Sequence, residues 1–140
     1  MTTASTRQET RAHELAENLI AFLETGEVRE GLLAPQVLCD FSLPTWRLQS
    51  SGVEACVALR TGGHPGTSTV PRWRFDPTPT GFVMEAEEAW DAEGEHWTCR
   101  EMFRADISDD GIAELSVYCT GDWDASRRAE HAAAVTLIRP

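Results

Sequence analysis

No run in this 140-residue chain approaches the roughly 20 apolar residues that a membrane-crossing helix needs. The first ten residues are polar and lack the apolar stretch of a secretory leader, so the expectation is a cytoplasmic protein. Positive charge is scarce: 12 Lys and Arg face 23 Asp and Glu, for a formal net charge of -11. A surface that acidic repels phosphate backbones and anionic lipid, which argues against nucleic-acid and membrane partners and keeps the chain in solution. Cysteines are few and scattered. Cys39, Cys56, Cys99 and Cys119 form no CxxC pair, and in a reducing compartment they read as small buried hydrophobes rather than a disulfide framework or a zinc site. His13, His64, His96 and His131 have no metal-ligand spacing. There is no phosphate loop, no dinucleotide-binding glycine pattern and no nucleophile elbow. The expectation is therefore no metal and no cofactor.

What is present is ordinary globular composition, 41% apolar and 25% charged, in a length that suits one domain over residues 1–140. Residues 1–8 are expected to be a flexible lead. Thr6-x-x-Glu9 can form a capping box, and Ala12, Leu15, Ala16, Leu19, Phe22 and Leu23 recur on one helical stripe that Gly26 ends. Residues 37–41 look like a strand that Pro44 ends or marks as an edge. Ser51-x-x-Glu54 predicts a second capping box, opening a short helix that Gly62 and Gly63 stop. After a loop over 62–68 the period changes from helical to two. Strands are expected over 69–75, 82–90, 95–107 and 112–120, the last two joined by an Asp109-Asp110-Gly111 hairpin signal. Asp122 or Asp124 then caps an alanine-rich helix through Ala134, before a tail that is either a last strand or irregular. Helices followed by a meander of long strands make an α+β order, with helices covering one face of an antiparallel sheet.

Several of these patterns resemble the nuclear-transport-factor-2-like superfamily, and within it the polyketide-cyclase-like (SnoaL-like) proteins, over roughly residues 9–123. The amphipathic first helix, Leu32-Leu33-Ala34-Pro35 and the helix near Val53 carry part of the likeness. Its strongest part is the run from Phe103 through Asp109-Asp110-Gly111 to Glu114, with Tyr118 beyond. The resemblance implies a cone-shaped fold, a curved antiparallel sheet with N-terminal helices covering its concave face, a pocket between the two, and homodimers formed through the sheet. It embraces isomerases, dehydratases, cyclases, epoxide hydrolases and non-catalytic binders, so it implies no single activity. Two departures stand out. Many members have an aspartate two residues after the position of Tyr118, where this chain has Thr120. The ketosteroid-isomerase-like members have an acid-Asp-Pro run near Asp40, which here is followed by Phe41 and Ser42.

Strand alternation sorts residues by face. With Ile107 opposite Ile112, one face holds Thr98, Arg100, Met102 and Arg104 with Ala113, Leu115, Val117 and Cys119. The other holds Trp97, Cys99, Glu101 and Phe103 with Ser116 and Tyr118; a β-bulge would exchange the faces beyond it. In the resembled epoxide hydrolases catalytic acids and an arginine point into the cone, so by analogy the first face is concave. Its candidate catalytic set is Asp40, Glu85, Glu87, His96 and Arg100: acids whose protonation the surroundings tune, a histidine able to shuttle protons, and an arginine to hold negative charge. Glu85 opposite Arg100 equally makes an ordinary cross-strand ion pair, and His96 an ordinary solvated residue beside a turn. Ligand-binding candidates are Trp46, Trp73 and Trp123 as flat apolar walls, His64 in a glycine-rich loop, and Leu115 and Val117 on the concave face. Trp90, Trp97, Phe103 and Tyr118 fall on the face where a dimer interface would want them.

Two functions fit. One is a cofactor-independent enzyme of isomerase, cyclase, dehydratase or epoxide-hydrolase type, using acid/base residues on an apolar or aromatic small molecule. The other is a non-catalytic binding or dimeric accessory protein of the same fold.

Overall fold

The stripe of Ala12, Leu15, Ala16, Leu19, Phe22 and Leu23 is buried throughout, and it forms the inner side of the first helix, α1 (Thr3–Thr25). The structure, a computed structural model, describes residues 3–64 and 67–140. The helix starts ahead of the expected cap, so Thr6 lies inside it. Gly26 ends it at φ +77, its N–H bonded to Phe22 O at 2.8 Å. That left-handed geometry is the reason for a glycine there.

Six strands make one sheet in the order β2-β1-β6-β5-β4-β3: β1 (Leu33–Ser42), β2 (Arg47–Ser51), β3 (Thr69–Thr78), β4 (Gly81–Ala92), β5 (Glu95–Ser108) and β6 (Gly111–Cys119). Every pairing is antiparallel except β1 with β6, which is parallel, so the sheet is mixed. The short edge strand β2 was not expected. It uses Ser51 opposite Leu38, so α2 (Val53–Gly63) follows Gly52 without a side-chain cap, and the predicted Ser51 capping box does not form. The helix also runs through Gly62 and Gly63 rather than stopping at them. The alanine-rich helix α3 (Ala125–Ala134) is capped as expected: Arg127 N donates to Asp124 Oδ1 at 2.7 Å. The tail after α3 is irregular. Among the described residues no helix is long and apolar enough to cross a membrane.

α1 packs on β3 and β4 and α2 on β1 and β2, which leaves a gap over β5 and β6. Under α2, Cys39 of β1 and Cys56 are joined as a disulfide with Cα atoms 6.0 Å apart. This corrects the expectation of four free thiols and removes their support for a reducing compartment. A strand and a helix separated by a whole hairpin meet here, and no spacing rule in the sequence reveals that.

The β5–β6 hairpin sets which face is which. Ile107 pairs Ile112 and Asp106 pairs Glu114, so Ala113 is an extra residue in β6. At the turn Gly111 has φ +126, and a Cβ there would lie 2.7 Å from Gly31 O. The bulge turns Leu115, Val117 and Cys119 to the side of Cys99, Glu101 and Phe103. The predicted concave face was therefore half wrong: Leu115 and Val117 are on it, but Arg100, Met102 and Arg104 are outside.

Candidate functional site

Between the helices and the inner face of the sheet lies a cavity of about 310 Å³. Leu19 and Phe22 of α1, Phe41 of β1, Leu59 of α2, and Phe103 and Val117 of the sheet make its apolar wall. Leu43 and Leu48 line it while remaining exposed, which puts its mouth at the β1–β2 hairpin. The ionisable groups on the wall are Arg60, His64, Glu101 and the thiol of Cys119; Cys39 and Cys56, also on it, are joined as the disulfide. Glu101 is the single acid of that wall among the described residues.

Three elements bring this polar end together. Arg60 sits in the last turn of α2, with its side chain 10% exposed. It forks onto the wholly buried Glu88 of β4, Nη1 to Oε1 at 2.9 Å and Nη2 to Oε2 at 2.6 Å, and Nη2 also reaches Leu23 O at 3.0 Å. Ser68, with one hydroxyl hydrogen, stands 2.7 Å from Leu23 O and 2.8 Å from Glu88 Oε2. Burial alone would raise the pKa of Glu88. The Arg60 fork, a hydrogen bond from Glu101 and the charge of Arg60 outweigh it and hold Glu88 below the usual carboxylate range.

Glu101 has the opposite fate. Burial, then the negative charge of Glu88, push its pKa well above the usual range. As a carboxylate, its buried Oε2 would have no donor. As a carboxylic acid its O–H is directed to the Glu88 carboxylate, and both groups are satisfied. Only one proton is needed for the pair, and Glu101 holds it.

His64, the residue that ends α2, has a 12% exposed side chain and packs on Trp90 with ring centroids 4.1 Å apart. Its Nδ1 contacts Arg60 Nη1, and its Nε2 lies 3.2 Å from Asp122 Oδ1. Since the guanidinium can only donate, Nδ1 accepts and Nε2–H donates to Asp122. The ring closes the polar end and joins α2 to the segment after β6. Ligand atoms of His64, Cys99 and Glu101 lie within 4.8 Å of one another, as do those of Cys99, Cys119 and Asp122. In the first group both His64 nitrogens are bonded, and the Arg60 guanidinium beside them opposes a cation.

The residues expected to carry chemistry are mostly elsewhere. Glu85 and Glu87 lie outside, with Arg100 Nη2 3.3 Å from Glu85, Arg100 Nε 3.4 Å from Glu87 and Arg72 2.7 Å from Glu87. His96 is beside the β4–β5 turn, 2.8 Å from Asp91. Asp40 is held on the β1–β2 hairpin by both arms of Arg47, at 3.0 and 2.7 Å, a bond that lowers its pKa. Trp46 is 68% exposed, Trp73 packs beneath α1 by His13, and Trp123 bridges to Thr98 and meets the His131 ring. His64, Leu115 and Val117 do line the cavity. Trp90 and Phe103, expected at an outer interface, are buried inside, while Tyr118 is outside. Sequence reasoning missed Arg60, Glu88 and Glu101. Alternation did place Glu101 with Phe103, but taking the other face as concave set them aside.

No family model matches the chain, and no curated protein matches it. Solved structures do. An NTF2-like protein from Anabaena variabilis superposes with TM-score 0.70 at 20% identity, covering 87% of this chain and 96% of that one. A candidate polyketide cyclase from Xanthomonas campestris gives TM-score 0.63 at 15% identity, covering 78% and 90%. An epoxide hydrolase of M. tuberculosis described as LEH-like gives 0.60 at 12% identity, covering 79% and 83%. At these identities the likeness establishes the architecture.

Proposed function

We propose that this chain, which has the nuclear-transport-factor-2-like fold, is a cofactor-independent enzyme that transfers protons on a neutral, largely apolar small molecule, with Glu101 as acid and base. The observation that carries the reading is the buried carboxyl of Glu101 placed as the single acid of an apolar cavity among the described residues, where burial and the neighbouring Glu88 raise its pKa. An acid kept neutral at working pH can give its proton to a carbonyl, hydroxyl or epoxide oxygen and take one back from carbon or water. Glu88 and Arg60 set that state: Glu88 carries the charge, Arg60 compensates it, and Glu101 keeps the proton. The apolar wall selects neutral ligands, since a charged one would lose its hydration there. Cyclisation and epoxide opening, the activities named for two structural neighbours, both turn on such a proton transfer.

The test uses neutral cyclic ketones in deuterium oxide, with exchange at the carbon beside the carbonyl read by NMR. The expected result is exchange faster with the natural protein than with Glu101→Gln by roughly a hundredfold. Equal rates for the two proteins across ketones and epoxides alike would overturn the assignment.

A further inference from the structure

The proton network leaves a thiol on the cavity wall unused. Cys119, the last residue of β6, lines the cavity and is directly opposite Glu101 in the β5–β6 ladder. Gly121 N–H points at its sulfur from 3.4 Å. Cys99 is buried beside it on the same face, also free, with its S–H 3.4 Å from Glu101 Oε1. Cys99 has one hydrogen. It serves Glu101 while Cys119 keeps its own proton, and turns to Cys119 once that sulfur is an anion. The hydrogen bond from Cys99 and then the Gly121 N–H favour the Cys119 thiolate against burial and the charges of Asp122 and Glu88, and its pKa is lowered; Cys99 is raised by the same bond. Glu101 is nine-tenths buried, with Oε2 unpartnered as a carboxylate.

A nucleophilic sulfur and a neutral acid thus face one apolar space from adjacent strands. We propose that Cys119 is a nucleophilic site for α,β-unsaturated carbonyl compounds, adding through sulfur to their β-carbon. The Cys119 sulfur pair forms the S–C bond. The alkene π pair moves toward the carbonyl, and the resulting enolate oxygen takes the proton of Glu101. The Cys119 proton has passed to solvent before the addition, solvent returns a proton to Glu101 after it, the enol reverts to the carbonyl, and the product is a thioether with no oxidant or reductant consumed. The protonation step rests on the reading of Glu101 given above; the nucleophile does not.

N-ethylmaleimide and iodoacetamide separate the two parts, because the first needs a proton after addition and the second only expels iodide. The folded protein, without reductant, is treated with each at neutral pH and followed by intact mass and peptide mapping. The expected result is one adduct, at Cys119, forming faster than on free glutathione by roughly tenfold. Cys119→Ser gives none, and Glu101→Gln slows the maleimide by about tenfold while iodoacetamide is unaffected. An adduct mapped to Cys99, or a Cys119 no faster than glutathione with either reagent, overturns the proposal. Fast labelling of Cys119 by both reagents in Glu101→Gln supports the nucleophile and instead overturns Glu101 as proton donor.

Discussion

Glu101 on β5 stands diagonally across from Glu88 on β4, whose direct partner is Cys99, and the pair carries one charge and one proton. The Arg60 fork decides which carboxyl is charged.

This division has a signature in stability. The ordinary carboxyl pKa is 4.5 and that of Glu101 in the fold is raised. Below 4.5 Glu101 is protonated folded and unfolded, and its favourable contribution is complete. As pH rises the unfolded chain ionises first, so that contribution is lost toward the folded pKa. Glu88, with a lowered pKa, acts in the opposite sense: its contribution is present above 4.5 and fades on acidification. Glu101→Gln removes only the first effect. The variant is expected to match the natural protein near about pH 4 and to be the more stable of the two at neutral pH and above, by urea unfolding across pH.

Arg60→Met leaves the wholly buried Glu88 charge without its partner. The expected loss is about 3–5 kcal/mol by chemical denaturation. Adding Glu88→Gln to the same protein is expected to recover a large part, since the uncompensated charge is gone. A double variant as unstable as the single one would assign Arg60 a packing role.

On the outer face, Arg100→Ala and Glu85→Gln separate the Arg100–Glu85 ion pair, in which both side chains are about half exposed or more. Each is expected to cost less than about 1 kcal/mol and to leave ketone exchange unchanged. A large loss of exchange would return these residues to the site from which the bulge removes them.

Val117→Phe adds volume to the cavity wall. The expected outcome is weaker binding of a neutral solvatochromic dye at a stability cost of about 1–3 kcal/mol. Gly111→Ala meets Gly31 O and an unfavourable φ, with an expected loss of about 1–3 kcal/mol read by thermal unfolding.

Much of this architecture was legible in the chain. The α1 stripe, the Asp109-Asp110-Gly111 turn and the Asp124 cap act through neighbours in sequence, and each forms where the pattern put it. The site was legible only in part, because one inserted residue governs it. Ala113 in the bulge exchanges the faces of β6, and nothing in the alternation of Ile112-Ala113-Glu114-Leu115 marks which residue is extra. Arg60 and Glu88 are 28 residues apart and read alone as surface charges; the end of α2 over β4 makes them a buried pair. The disulfide is hidden for the same reason.

The most direct measurement is a side-chain carboxyl ¹³C NMR titration, with the Glu101 resonance assigned by its loss in Glu101→Gln. The account predicts a Glu101 carboxyl still protonated at neutral pH while Glu88 is ionised. A Glu101 resonance that titrates near the ordinary 4.5 would contradict it.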